Sequence, residues 1–191
     1  MGTDIRYTYN EIEIDRSIEE VFNYIANPIN IGYYNTKPLE EDNIEQVRLV
    51  LRDEGDMDEV IQENKIYQYK IKFREGDIST LYLNFIIKKV VVRSEINFAL
   101  SFPRIDFFED STISEDAKES ILFNFNVKNR ATIRWEFIVK SNGRVLLKLM
   151  EFRKKQKVGF FKKMSNIMDQ RRIQRINSNL LAYIKKEIEA T

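Results

Sequence analysis

Residues 133–188, IRWEFIVKSNGRVLLKLMEFRKKQKVGFFKKMSNIMDQRRIQRINSNLLAYIKKEI, change their hydrophobic period once, and that change decides the fold. Ile133, Trp135, Phe137 and Val139 alternate with polar neighbours, as a half-buried strand requires. Asn142-Gly143 follows, a pair that tolerates the positive φ of a type I′ turn and so predicts a tight hairpin into Val145, Leu147 and Leu149. Beyond this the apolar residues Phe160, Met164, Ile167, Met168, Ile176, Leu180, Ile184 and Ile188 fall mainly at three- and four-residue steps. That spacing predicts an amphipathic helix over about 158–188. No other segment offers a helix of comparable length, so its apolar face is expected to lie against a sheet.

Working upstream, the two-residue period recurs from about Ile44 to Phe152. Tyr67, Tyr69, Ile71 and Phe73 share one face, then Leu81, Leu83, Phe85 and Ile87, then Ile96, Phe98, Leu100 and Phe102, then Ile121, Phe123, Phe125 and Val127. Each reads as a one-sided strand, and the set as an antiparallel meander. Ile5–Ile14 is a first strand whose phase slips between Tyr9 and Ile12, as a bulge or sheet edge allows. Ser17 with Glu20 forms a capping box that opens a helix over Ile18–Ala26, with Ile18, Val21, Phe22 and Ile25 on its apolar face. Pro28 stops it, since the residue before a proline is pushed out of the α region. The next residues, PINIGYYN, form one more short helical turn.

Composition removes several chemistries. The 191 residues include no histidine and no cysteine. This excludes an imidazole base, a thiolate nucleophile, a redox pair and any metal site built on those ligands. No metal and no cofactor is expected, and any acid–base work falls to Asp, Glu, Lys or Tyr. With only six glycines and three prolines there is no linker to mark a boundary, so a single domain over 1–191 is expected. No apolar run approaches the ~20 residues of a membrane span and no secretory signal is apparent, so the expected location is cytoplasmic.

These elements resemble the START-like superfamily, also called the SRPBCC or Bet v 1-like group. The resemblance is carried by Ile12–Pro28 with its strand, capped helix, Val21-Phe22 pair and Asn27-Pro28 stop, by the Asn142-Gly143 hairpin, and by the helix end Leu181–Glu189. It implies an α+β helix-grip fold: a curved antiparallel sheet of seven or eight strands packed against a long C-terminal helix, with one or two short helices after strand one. Members of the superfamily enclose a hydrophobic cavity and bind lipids, sterols, polyketides or plant hormones. Some are polyketide cyclases or aromatases, and others are co-chaperone or membrane-associated proteins. Two features depart from the family pattern: Tyr33-Tyr34-Asn35 stands where a Trp is common, and residues 103–119 form a long connection.

On this reading the chain binds a hydrophobic small molecule or lipid between sheet and helix. The expected lining is Tyr67, Tyr69, Phe73, Phe85, Phe98, Phe125, Trp135 and Phe137 from the sheet, with Met164 and Met168 from the helix. The plainer account of the same aromatics is a filled core, since each buries ~150–250 Å². Tyr67 and Tyr69 stand out because a buried hydroxyl needs a partner that a ligand oxygen would supply. Glu151 falls in phase with Val145, Leu147 and Leu149 and so turns inward, unless the strand end there is solvated. Arg134, Glu136 and Lys148 lie on the opposite phase as a cross-strand charge set. Residues 28–36 and 103–119 are expected to act as lids.

Two alternatives follow from the same residues: a cofactor-independent cyclase/aromatase acting on a polyketide-like substrate, and a membrane-associated interaction protein. For the latter, residues 153–163, RKKQKVGFFKK, hold six basic residues and no acid, with Phe160 and Phe161 between them, as peripheral contact with an anionic surface would need. Nucleic acid is not an expected partner, because the net charge is only +1 and no recognition motif is present. Residues 40–63 carry ten acids against Arg48 and Arg52. Asp53, Asp56 and Asp58 among them lack the ligand order of a calcium loop and read as a solvated segment.

Overall fold

A computed structural model describes residues 4–36, 44–50, 59–74, 80–101, 131–154 and 160–190. Among these the strands are β1 (Asp4–Ile14), β2 (Ile44–Val50), β3 (Ile66–Phe73), β4 (Thr80–Val91), β5 (Glu95–Ser101), β6 (Ala131–Val139) and β7 (Val145–Lys154). The helices are α1 (Ile18–Ala26), α2 (Pro28–Thr36) and α3 (Phe160–Ala190). The strands make one seven-stranded sheet in the order β1-β7-β6-β5-β4-β3-β2. Each neighbouring pair is antiparallel, so β2 to β7 form the expected meander and β1 returns to pair with β7. Seven is the lower of the two expected counts. The strand expected over Ile121–Val127 lies outside the described residues, as does the connection 103–119.

The sheet bends at three register shifts, between Arg6 and Thr8, Ile44 and Gln46, and Ile87 and Lys89. A bulge places two residues opposite one and increases local twist, which curls the strands around their concave face. The phase slip in β1 therefore occurs earlier than the sequence suggests. Downstream of it Asn10, Ile12 and Ile14 all face inward and Tyr9 faces out, where the guanidinium of Arg6 lies 5.1 Å from its ring centre.

The hairpin between β6 and β7 is present, but not as a type I′ turn. Val139 pairs with Val145, the Lys140 N–H bonds to the Arg144 carbonyl at 2.8 Å, and the Gly143 N–H bonds to the Lys140 carbonyl at 3.0 Å. Gly143 alone takes a positive φ, +82°, and Asn142 does not. The connection is thus a three-residue loop, a β-turn followed by a left-handed glycine. Asn142 serves it through its side chain, accepting from the Arg144 N–H at 3.1 Å.

The helices start as expected. Ser17 Oγ accepts from the Glu20 N–H at 3.2 Å and the Glu20 carboxylate accepts from the Ser17 N–H at 2.9 Å, which completes the capping box. Val21, Phe22 and Ile25 are buried. Asn27 ends α1 and also caps α2, its Oδ1 accepting from Ile29 N–H at 2.8 Å, with Pro28 in the first helical position where a missing N–H costs nothing. Residues 28–36 were expected as a lid, but here Ile31 and Tyr34 are fully buried and the Tyr34 hydroxyl donates to the Ile25 carbonyl at 2.9 Å. α2 is an anchored plug of the concave face.

α3 grips that same face through Leu180, Leu181, Ile184 and Ile188. Its end is tied to the start of α1: the Asp15 N–H donates to Glu189 at 2.8 Å and Arg16 Nη2 donates to the Glu189 carbonyl at 2.7 Å. A cation at a helix C-terminus also meets the negative end of the helix dipole.

One expectation about the sheet fails. Its strands are not all one-sided, because Gln68 and Asn84, on the convex phase of β3 and β4, are both 0% exposed. They face each other across the two strands, and Gln68 Nε2 donates to Asn84 Oδ1 at 2.9 Å. Ile86 and Ala99 are buried on that phase too, so part of the convex face is interior.

Candidate functional site

The concave face is aromatic toward β3–β5 and becomes polar toward β1. Tyr67 pairs in register with Phe85. Tyr69 meets Phe85 edge to face at 5.3 Å, and Phe85 meets Phe98 at 5.1 Å between centroids. A second group joins the sheet to the short helices, with Phe22 against Phe137 at 5.3 Å and Tyr34 against Trp135 at 5.9 Å. Six of the ten expected lining residues, Tyr67, Tyr69, Phe85, Phe98, Trp135 and Phe137, are thus buried on one face. Phe125 lies outside the described residues, and so do the side chains of Phe73 and Met164. Met168 departs from the inward position expected of it: at 71% exposure it faces solvent from α3.

The reason for singling out the two tyrosines does not hold. The Tyr69 hydroxyl donates to the Pro28 carbonyl, and the Tyr67 hydroxyl accepts from the Gln62 N–H at 3.0 Å. Both clamp neighbouring backbone. Burial pushes the Tyr69 phenol well above its ordinary pKa, reinforced by Tyr34 and Tyr67, so it stays a protonated donor.

The polar end is built from three adjacent strands and α3. Across the sheet Trp135, Leu149 and Asn10 occupy one row, and Ile133, Glu151 and Thr8 the next. Glu151 is 6% exposed, so the strand end is not solvated there. Arg153, two residues on and on the same face, donates from Nε to the Glu151 carboxylate at 2.6 Å. The same guanidinium lies 3.8 Å from the Tyr7 ring centre. Burial raises the Tyr7 pKa; Arg153 opposes this, while Asp169 and Glu151 add to it. From α3, Gln170 Nε2 donates to the Tyr7 carbonyl at 2.6 Å and Asn177 Nδ2 to Thr8 Oγ1 at 3.2 Å. Asn10 Nδ2 donates to the Gln174 carbonyl at 3.0 Å and to Ser178 Oγ at 2.7 Å.

The roof is therefore in two parts. The last turns of α3 seal the sheet with aliphatic side chains, whereas over Gln170–Ser178 it meets β1 by polar contacts, with Ile173 and Ile176 only half-buried. Thr8 and Asn10 were missed in the sequence reading. The signal was there, since Asn10 is in phase with Ile12 and Ile14 once the bulge is placed before Thr8.

The charged sequence features resolve partly. Arg134 lies 3.7 Å from Glu136 on its own strand and 3.7 Å from Glu95 on the neighbouring β5, a partner the sequence did not suggest, while Lys148, expected in the same set, stands opposite Glu136 in register with its ammonium 6.0 Å from the Tyr9 ring centre. Of the basic stretch 153–163, Arg153 is turned to Glu151 and Tyr7, and residues 155–159 lie outside the described residues. No helix among the described residues is long and apolar enough to cross a membrane.

No protein-family model matches this chain, and no curated protein matches it in sequence. Solved structures do match it. Protein SA2116 from Staphylococcus aureus superposes with a TM-score of 0.59 at 8% identity, covering 100% of this chain and 98% of that one. Ara h 8.0201 superposes at 0.53 with 9% identity over 99% and 100% of the two chains. The Zhui aromatase/cyclase from Streptomyces sp. R1128 superposes at 0.52 with 10% identity over 98% and 94%. The likeness is one of fold, and the fold is the helix-grip arrangement expected from the sequence, a curved antiparallel sheet packed against a long C-terminal helix.

Proposed function

We propose that the chain binds a hydrophobic small molecule or lipid on the concave face, between the sheet and α3. The observation that carries this reading is the two-part roof. An aliphatic seal holds one end of α3, while its middle meets β1 through polar contacts at the end of the row that runs from Asn10 through Leu149 to Trp135. Apolar floors with a few convergent polar groups are the usual make-up of small-molecule sites. The similarity in fold to an aromatase/cyclase and to Ara h 8.0201 supports a pocket of this kind without choosing its occupant.

Native mass spectrometry of protein purified without detergent tests the reading. The expected result is a population heavier by the mass of an apolar compound that organic extraction releases, or uptake of one equivalent when a lipid mixture is added. Protein that carries nothing and takes up nothing while fully folded overturns it.

A second reading, a cofactor-independent cyclase/aromatase-type reaction, is favoured by Glu151, a carboxylate on the concave face in reach of the floor. A Glu151→Gln variant that retains full turnover of a poly-β-keto substrate would remove that residue from the chemistry.

A further inference from the structure

Two buried polar atoms of the concave face have no hydrogen-bond partner among the described residues: the indole Nε1 of Trp135 and the amide Oδ1 of Asn10. Trp135 is 0% exposed and Asn10 8%. Buried polar groups are nearly always paired, because an unpaired one bears the full cost of leaving water. Neither atom can change its role. An indole nitrogen only donates. The Asn10 amide is fixed in orientation because its Nδ2 donates to the Gln174 carbonyl, which only accepts, so flipping the amide would set two acceptors against each other. Asn10 Oδ1 is thus an acceptor, and the face holds one donor and one acceptor without partners.

Their placement is specific. Trp135 and Asn10 stand in one row, on either side of Leu149, so their backbones are about 10 Å apart, two strand spacings. Both side chains rise from the same face under α2 and α3. The next row holds the Glu151 carboxylate, with the nearby Arg153 guanidinium already bonded to it. A ligand anion would meet the Asn10 carbonyl and Glu151 without a free cation from Arg153.

We propose, on the basis of the ligand-binding reading, that the guest is a neutral hydroxylated apolar molecule: one of its oxygens accepts from the Trp135 indole N–H, and a hydroxyl donates to Asn10 Oδ1. Hydrocarbons leave both atoms unpaired, and carboxylates cannot donate at all.

The test uses the folded full chain, with an apolar fluorophore bound and displaced in turn by 1-octanol, octyl methyl ether and octanoate. Octanol is expected to bind about tenfold more tightly than the ether, a factor of the size one hydrogen bond gives, and octanoate more weakly than both. Asn10→Leu should bring octanol and its ether to within about twofold of each other, while Trp135→Phe, which keeps an aromatic ring in place, should weaken both by about tenfold. Thermal melts establish that the variants fold, and the Trp135→Phe result stands alone if Asn10→Leu does not. Equal binding of octanol and its ether to the parent chain, or their failure to displace a bound fluorophore, overturns the proposal and leaves the ligand-binding reading intact. Failure of the fluorophore itself to bind overturns that reading.

Discussion

The indole of Trp135 meets the ring of Tyr34 edge to face, 73° between planes and 5.9 Å between centroids, and both residues are fully buried. This contact fixes α2 onto β6 and so defines one wall of the concave face. Removing the ring in Tyr34→Ala is expected to cost about 3–5 kcal/mol, the range for aromatic-to-alanine changes in a core. Tyr34→Phe, which removes the hydroxyl that donates to the Ile25 carbonyl, should cost about 1 kcal/mol. Urea unfolding followed by circular dichroism measures both.

The Gln68–Asn84 amide pair should behave as a coupled unit. Each amide has one group bonded to the other, and Gln68 Oε1 and Asn84 Nδ2 have no partner among the described residues. Gln68→Leu or Asn84→Leu alone strands its partner's buried amide, at a cost of about 1–3 kcal/mol. The double leucine variant should cost less than the sum of the two, and a double-mutant cycle in urea reads the coupling directly.

Acid should weaken two specific contacts. The Asp15 N–H, with Lys185 and Arg16 nearby, holds the Glu189 carboxyl below its ordinary pKa; the Ser17 hydroxyl and N–H do the same for Glu20. A carboxyl with a lower pKa folded than unfolded takes up its proton more readily in the unfolded chain. Its contribution is therefore complete above the unfolded value, about 4.3, and is lost as pH falls through the lower folded value. The gap in urea midpoint between the parent chain and Glu189→Gln should be open at about pH 6 and close toward about pH 3. A gap that widens on acidification contradicts this.

The hairpin makes a sharp conformational prediction. Gly143 has φ +82°, with nothing within 4 Å of where a Cβ would stand, so Gly143→Ala suffers backbone strain and no clash. It should lose about 1 kcal/mol, and Gly143→Asn, which tolerates the left-handed region, should lose less. Midpoints of thermal unfolding rank the three.

Period and punctuation made most of this fold legible. The two-residue alternation through Tyr67–Ile71 and Ile133–Val139, and the three- and four-residue steps through Leu180, Ile184 and Ile188, each report one buried face, which is a local property. Ser17 with Glu20, and Asn27-Pro28, work through backbone groups within a few residues and are equally local. What escaped depended on features that alternation alone does not report: cover on the far face, backbone partners and the exact place of a bulge. Gln68 looked solvent-facing because alternation assigns a face without saying whether something covers it. Tyr67 and Tyr69 looked like ligand anchors because side-chain alternation does not report backbone partners: the Gln62 N–H just upstream of Tyr67, and the Pro28 carbonyl, far from Tyr69 in the chain. Asn10 went unnoticed because a bulge had to be placed before its phase could be read.

The most direct test of a guest between sheet and helix uses Trp135, the chain's single tryptophan. Titrating native protein with an apolar fluorophore that accepts energy from indole should quench Trp135 emission along a saturable curve that ends at one equivalent per chain, with the melting temperature rising as ligand is added. Emission that declines without saturation, or not at all, while the protein stays folded would contradict the account.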